Sequence, residues 1–138
     1  MMKRLLIAYD GSEPAKKAFD TGLDLALKYG AAVTVLSIAR IAEPPEDVET
    51  EAIVESATEF YEKKFGVLRE EAAAKNVQVR FQVRVGHPAD QIVLVAEEQQ
   101  ADLIIMGHRG RTRVSLWRLG SISKRVLSYA PCSVFIVR

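Results

Sequence analysis

The chain has little of what marks secreted or membrane proteins. Of its 138 residues only Cys132 is a cysteine, which excludes an internal disulfide and suits a reducing compartment. No apolar run approaches the ~20 residues of a membrane span. Residues 1–8 begin like a signal peptide, but the sequence turns acidic at Asp10, and we interpret this segment as a buried strand. These features predict a cytoplasmic protein without a membrane partner.

Net charge is also small, although its distribution is uneven. The formal charge is +1, so the chain as a whole is not expected to bind nucleic acid. The acidic run from Glu43 to Glu59 is interpreted as the solvated face of a helix. No Asp or Glu follows Asp102. The segment after Asp102 favours an anionic ligand because it carries seven cations: Arg109, Arg111, Arg113, Arg118, Lys124, Arg125 and Arg138.

Signature motifs for metal or thiol chemistry are missing. The sequence contains no H-E-x-x-H and no C-x-x-C, so no structural metal site is expected. Cys132 stands at the start of a predicted strand without a histidine partner, which disfavours a nucleophilic role. No general base suited to activating water is evident. We therefore predict no catalytic residue.

What the sequence does contain is an alternation of strand and helix patterns that fits one domain over residues 1–138. Apolar runs predict strands, and apolar residues at helical spacing predict helices. The five predicted strands are residues 3–9, 32–38, 77–85, 103–106 and 133–137. The four predicted helices run from Ser12 to a stop at Gly30, from about Val48 to Lys75, from Pro88 into a short helix, and from Ser121 to Tyr129.

Three segments carry a predicted orientation. Residues 77–85 alternate between apolar and polar, which is typical of a strand near a sheet edge. The long second helix is predicted to have one apolar stripe, made of Ile53, Ala57, Phe60, Tyr61, Leu68 and Ala72. The third predicted helix is expected to bury its apolar residues, which are Ala89, Ile92, Val93 and Ala96. Pro44 and Pro45 predict a loop before the second helix.

The order of elements predicts an α/β fold, a doubly wound, open, five-stranded parallel sheet of Rossmann-like type with helices on both faces. In such folds, ligands bind beyond the carboxyl ends of the strands, where the strand order reverses. The loops after strand one (residues 10–12) and strand four (residue 107 onward) both lie at that edge. If those two strands are neighbours, their loops face each other.

The loop after strand four has the composition of a phosphate cradle. Gly107-His108-Arg109-Gly110 is followed by a nine-residue spacer and then Gly120-Ser121-Ile122-Ser123 at a helix start. Glycine lets a ligand approach the backbone, and a helix N-terminus offers free N–H groups to an anion. The spacing matches neither the P-loop nor the G-x-G-x-x-G fingerprint. An ordinary turn therefore remains an alternative, as do a turn-capping role for Asp10 and a solvated ring for His108.

The whole chain resembles the universal stress protein family. The resemblance lies in the segments 7–12, 35–38, 86–88, 101–107 and 131–137. The members of this family that bind ATP carry Gly, two residues, Gly, nine residues, then Gly-Ser or Gly-Thr. Gly107, Gly110, Gly120 and Ser121 match that pattern, so the resemblance places the chain in the ATP-binding branch.

The resemblance also implies roles for individual residues. Asp10 would lie near the ribose or near a Mg²⁺ bound to the phosphates, and the backbone of Ile38 would meet the adenine edge. Ala8 and Met106 would line the base and sugar pocket, where Tyr9 stands in place of a smaller aliphatic residue. The residues expected around the phosphates are Gly107, His108, Arg109, Gly110, Gly120, Ser121, Ile122 and Ser123. The spacer, with Arg111, Arg113 and Trp117, is unusually rich in arginine.

These implications predict an ATP-binding protein of the stress response that senses or regulates rather than turning substrate over quickly. A weak ATPase and a scaffold that works without nucleotide are the alternatives, and another adenine nucleotide, such as cyclic AMP, stays open. The family also implies a homodimer formed through the last strand, at Val134, Phe135, Ile136 and Val137. The alternative for that apolar stretch is that a helix covers it.

Overall fold

The computed structural model of the protein describes residues 2–40, 47–110 and 118–138, and the side chains of residues 47–50 are not described. The predictions for Pro44, Pro45, Arg111, Arg113 and Trp117 lie outside the described residues. The strands are β1 (Arg4–Ala8), β2 (Ala32–Ala39), β3 (Val79–Val85), β4 (Leu103–Gly107) and β5 (Ser133–Val137). The helices are α1 (Glu13–Tyr29), α2 (Asp47–Ala74), α3 (Pro88–Glu98) and α4 (Ser121–Tyr129).

The five strands form one parallel sheet in the order β3-β2-β1-β4-β5. The predicted α/β class and the edge position of β3 are therefore confirmed. Strands β1 and β4 are neighbours, with Leu5 beside Leu103 and Ile7 beside Ile105. Because β1 leads to β2 and β4 leads to β5 on opposite sides, the strand order reverses between β1 and β4. The loops after these two strands thus meet at one crevice.

Helices cover both faces of the sheet. Leu5 and Ile7 of β1 pack into a cluster with α1 and α2, which includes Phe19 and Phe65. Leu6 points to the other face and packs into a cluster with α3 and α4. Burial on both faces explains why the central strands are continuous apolar runs rather than alternating ones.

Helix α1 begins and ends where its sequence predicts. Ser12 is extended, and its hydroxyl accepts a hydrogen bond from the N–H of Ala15 at 3.2 Å, as an N-cap does. Gly30 closes the helix at φ 63°, a left-handed conformation that favours glycine. These caps fix α1 directly after the first loop of the crevice.

Some predictions of boundaries and faces need correction. Helix α2 begins at Asp47, and β3 begins at Val79 although the alternation starts at Val77. On α3, Val95 is fully buried. Val93, which was predicted to turn inward, is only half-buried because it lines a surface pocket between α3 and α4. On α2 the buried stripe includes Phe65, which the prediction omitted. No helix in the described ranges combines the length and hydropathy needed to cross a bilayer.

Candidate functional site

A cavity of about 1140 Å³ opens at the carboxyl edge of the sheet, over the ends of β1, β2 and β4. It is walled on one side by α2 and on the other by the segment leading into α4. Two of the thirteen candidate residues, His108 and Ser123, are not part of its wall. The other eleven line it: Ala8, Tyr9, Asp10, Ile38, Met106, Gly107, Arg109, Gly110, Gly120, Ser121 and Ile122.

The N-terminus of α4 opens onto this cavity. Its N-cap is Gly120, and no side chain among the described residues caps the helix there. The Gly120 N–H donates to the carbonyl of His108 at 2.7 Å, which draws the helix start against the loop. A Cβ on Gly120 would lie only 3.3 Å from the Cα of Arg109. Glycine therefore permits this close approach.

Gly107 and Gly110 meet different neighbours. A Cβ on Gly107 would lie 2.6 Å from the Cβ and 2.9 Å from the carbonyl carbon of Pro14, so this glycine lets β4 pack against the first turn of α1. A Cβ on Gly110 would lie 2.8 Å from Oδ2 of Asp10. Gly110 thus brings the second loop of the crevice against the carboxylate of the first.

Asp10 caps its own turn while facing the other loop. Its Oδ1 accepts a hydrogen bond from the N–H of Ser12 at 2.9 Å, across Gly11 with φ 86°. The turn-capping role is therefore present, as an Asx turn. Since Oδ2 lies beside Gly110, that role does not remove the carboxylate from the cavity.

His108 and Ser123 support the loop from behind. His108 is 7% exposed, so the alternative of a solvated ring is wrong, and its main-chain N–H donates to the carbonyl of Val137 at 2.9 Å. The buried Ser123 hydroxyl is within donating distance of two carbonyl oxygens, that of Gly107 at 3.0 Å and that of His108 at 3.2 Å. These contacts tie the loop to β5 and α4.

The charged residues of the cavity wall are mostly cationic. Four basic residues line it, Arg40, Arg109, Arg118 and Lys124, and Asp10 is the one carboxylate among the described wall residues. Nη1 of Arg109 is buried and has no hydrogen-bond partner within the described part of the chain. A buried N–H without a partner is costly, so the Arg109 guanidinium gains hydrogen bonds by turning toward an anion in the cavity that its side chain lines.

The floor of the cavity near β2 is apolar but carries directed main-chain groups. The N–H of Tyr9 donates to the carbonyl of Leu36 at 2.9 Å, so the main-chain groups of Leu36 point toward β1. Because these groups alternate along a strand, those of Ile38 point to the same side. Ala8 and Leu36 are the last residue pair between β1 and β2, so the Ile38 groups point beyond the end of β1 into the cavity.

Tyr9 contributes an uncharged aromatic wall. Burial raises the pKa of its phenol above the ordinary value; Lys16 acts against this shift, and the Asp10 carboxylate adds to it. The phenol therefore stays protonated at neutral pH. The Tyr9 ring, which is larger than the aliphatic side chain common in the family at this position, packs with α1 and α2 in the core.

Sequence reasoning missed several wall residues. Arg40 and Leu119 flank predicted positions but lie in no family segment, and Pro88 lies in the family segment 86–88 without a predicted role in the site. Arg118 and Lys124 were predicted only as part of a basic stretch. The largest omission is the upstream face of α2, which contributes Ala52, Ile53, Ser56, Ala57, Phe60 and Tyr61. Its helical spacing was the available signal, but that spacing alone does not distinguish a core face from a cavity face.

Comparison with known proteins finds relatives that match the whole chain. The model of the universal stress protein family matches residues 1–138. A Thermus aquaticus protein, described as a universal stress protein in the QAH/OAS sulfhydrylase 3' region, is 36% identical over 140 residues and is matched over all of both chains.

Solved structures share the fold. The universal stress protein UspA from Lactobacillus plantarum superposes with a TM-score of 0.87 at 22% identity, covering 99% of this chain and 98% of that one. Two others are 20% identical: a universal stress protein in complex with cAMP (TM-score 0.69, covering 99% and 97%), and one from Archaeoglobus fulgidus in complex with dAMP (TM-score 0.71, covering 100% and 98%). The family match and the Thermus aquaticus relative together establish that this chain belongs to the universal stress protein family.

Proposed function

We propose that this protein binds ATP, together with Mg²⁺, in the cavity at the carboxyl edge of its sheet. The carrying observation is the uncapped N-terminus of α4, where Gly120 packs against the backbone of Arg109, a cavity residue whose buried Nη1 has no partner among the described residues. Helix N–H groups and a guanidinium are both donors that suit phosphate oxygens. With Arg118 and Lys124 on the same wall, this side of the cavity takes the phosphate chain.

The adenine is assigned to the apolar floor near β2. Ile38 directs one N–H and one C=O beyond the end of β1, a donor and an acceptor that match the edge of adenine. Ala8 and Met106 supply apolar contacts to the base and sugar. The neighbours with bound cAMP and dAMP support an adenine nucleotide in this fold.

The residues present fit a magnesium ion held mainly by phosphates. Mg²⁺ in nucleotide sites binds through one or two carboxylates together with the phosphates and waters. Asp10 is the carboxylate of the described wall, and its Oδ2 lies close to Gly110 in the loop that follows β4. Such an ion would offset the phosphate charge, and Asp10 would hold it.

We assign a sensing or regulatory role in the stress response, in the cytoplasm, rather than rapid catalysis. Among the described wall residues, Asp10 is the only candidate base, and its Oδ1 is engaged by the N–H of Ser12. Fast attack on the γ-phosphate needs a base or a positioned water. The wall instead offers donors that grip the nucleotide.

The two edges of the sheet support a homodimer formed through β5. At the β3 edge, Arg80 and Arg84 alternate with apolar residues and discourage pairing with another strand. The β5 segment, residues 133–137, carries no charge, and Phe135 on it is exposed. An uncharged, apolar edge strand is suited to pairing with the same strand of a second copy.

A thermal-shift series on the full chain tests the nucleotide proposal. ATP with Mg²⁺ at 100 times its Kd should add ~2.7 kcal/mol of stability, and we expect ADP, AMP and cyclic AMP at the same concentration to add less. Incubation with ATP and Mg²⁺, followed by analysis for ADP, identifies turnover. No shift with millimolar ATP would favour the nucleotide-independent scaffold, and rapid ADP release would contradict a regulatory role.

A further inference from the structure

The cavity has two compartments, because it straddles the edge of the sheet. Ile38, Met106 and Ile122 belong to the face covered by α3 and α4. Tyr9, Ala15 and Tyr61 belong to the opposite face, covered by α1 and α2. All six residues line the same cavity. Of these, Tyr9 is also a candidate nucleotide residue and lies at the boundary of the two compartments. The other proposed nucleotide contacts use the first compartment and the loops beside it, so the face of α2 has no ligand assigned.

The wall of this second space, which we call the α2 compartment, is the upstream face of α2. Its residues are spaced by four, as Ile53, Ala57 and Tyr61, with Phe60 beside them. The same stripe continues downstream into Phe65, Leu68 and Ala72, which are buried in the core. Upstream, Ile53 is 36% and Phe60 44% exposed. The apolar stripe thus runs out of the core and into the cavity.

The charge pattern of α2 separates this face from the solvent. Glu51, Glu55, Glu59 and Glu62 are exposed, yet none of them lines the cavity. The described residues that α2 turns to the cavity are all uncharged. Three of the four cations among the described wall residues, Arg109, Arg118 and Lys124, come from the loop after β4 and from the start of α4, and the fourth, Arg40, follows β2. The α4 side of the cavity is therefore the more cationic one, and the α2 face is apolar and aromatic.

The aromatic side chains of the compartment are held in fixed relation. The rings of Phe60 and Tyr61 meet edge to face at 5.1 Å, and Tyr61 stacks on Phe65 with centroids 6.0 Å apart. The amine of Lys64 lies 4.9 Å from the centre of the Phe60 ring. The contacts with Tyr61 and Lys64 hold the Phe60 ring in place, while 44% of the residue stays exposed at the cavity.

We propose that the α2 compartment is a second binding site, for a small uncharged aromatic or branched apolar molecule, adjacent to the nucleotide. The ligand class follows from the wall, which offers rings and aliphatic groups and little charge. Apolar pockets with few polar groups bind ligands of this kind. The site would let the protein respond to a second small molecule as well as to a nucleotide.

Titration with the neutral fluorescent probe N-phenyl-1-naphthylamine tests this site on the intact chain. We expect saturable fluorescence enhancement, and Phe60→Ala should weaken the probe affinity about five- to tenfold because it removes the aromatic contact. Phe60→Leu should restore most of it. The matched control is Leu94→Ala, since Leu94 on α3 is similarly exposed but lies outside this cavity. Equal effects of Phe60→Ala and Leu94→Ala would overturn the proposal.

Two further arms separate this site from nucleotide binding and from misfolding. Ile53→Glu places a charge on an exposed position of the wall, and we expect it to abolish probe binding while leaving the melting temperature nearly unchanged. Saturating ATP should leave the probe bound. Displacement of the probe by ATP would assign this space to the nucleotide and end the proposal. The titration without ATP stands even if the chain binds no nucleotide.

Discussion

Helices α1 and α4 both begin at the carboxyl edge of the sheet, on either side of the crevice, but their N-termini are finished differently. The start of α1 is closed by its own sequence, since Ser12 accepts from the N–H of Ala15 and Asp10 from that of Ser12. The start of α4 is a glycine with no side-chain cap in the described chain, beside Arg109. One end stabilises the fold by itself, while the other leaves donors for a ligand.

This difference predicts that substitutions at the two ends separate stability from affinity. Changes at the start of α1 should lower the free energy of unfolding and leave nucleotide affinity largely intact. Changes at the start of α4 should lower nucleotide affinity and leave the free energy of unfolding largely intact, because uncapped N–H donors stabilise the fold little when no anion is bound.

The largest effect is expected where the end of β4 touches the start of α1. Gly107→Ala places a methyl group 2.6 Å from the Cβ of Pro14 and 2.9 Å from its carbonyl carbon, and backbone cannot give way cheaply. We expect a loss of about 1–3 kcal/mol of unfolding free energy in urea. Gly66→Ala in α2 is the control, since its Cβ meets open space and alanine suits a helix. Equal stabilities for the two variants would show that Gly107 is not needed for packing.

The next effect separates affinity from stability at α4. Arg109→Gln removes the guanidinium whose Nη1 is buried without a partner, so ATP affinity should fall about tenfold, or ~1.4 kcal/mol. Its unfolding free energy should stay the same or rise. Arg80→Gln, on the far edge strand, removes the same charge away from the cavity and should leave the affinity nearly unchanged. Matching losses in both variants would indicate only a general effect of charge.

The smallest effect is expected at the capped end. Ser12→Ala removes the acceptor for the N–H of Ala15 and should cost about 1 kcal/mol of stability. Its ATP affinity should equal that of the parent chain, as measured by calorimetry below the melting transition. Ser128→Ala, at an exposed serine within α4, should change stability by less. A loss of affinity in Ser12→Ala would remove the distinction between the two helix starts.

The fold follows from local patterns, whereas parts of the site do not. The apolar runs of β1 and β4 predicted these strands and the class of sheet, because burial on two faces leaves a continuous apolar run. The two ends of α1 were predicted from Ser12 and Gly30, because helix capping leaves a direct trace in sequence. The role of Gly107 against Pro14 and the burial of His108 depend on tertiary neighbours ninety residues or so apart or on another strand. No local pattern reports such contacts.

The α2 wall shows a second limit. Ile53 and Phe60 were predicted on the same stripe as Leu68, and that placement on one face is right. The stripe does not say where the core ends, because a helix keeps its period when it passes beyond the sheet. Only the position of α2 relative to the sheet edge turns its upstream residues toward a cavity.

Calorimetric titration of ATP with Mg²⁺ into the parent chain, Gly120→Val and Gly66→Val tests the central claim most directly. In Gly120→Val the side chain would press on the Cα of Arg109 and the carbonyl of His108, and so part the helix start from the loop. The account predicts saturable heat for the parent chain and for Gly66→Val, and at least a ~tenfold weaker affinity for Gly120→Val. Absence of heat at millimolar ATP, or one affinity for all three proteins, would contradict it.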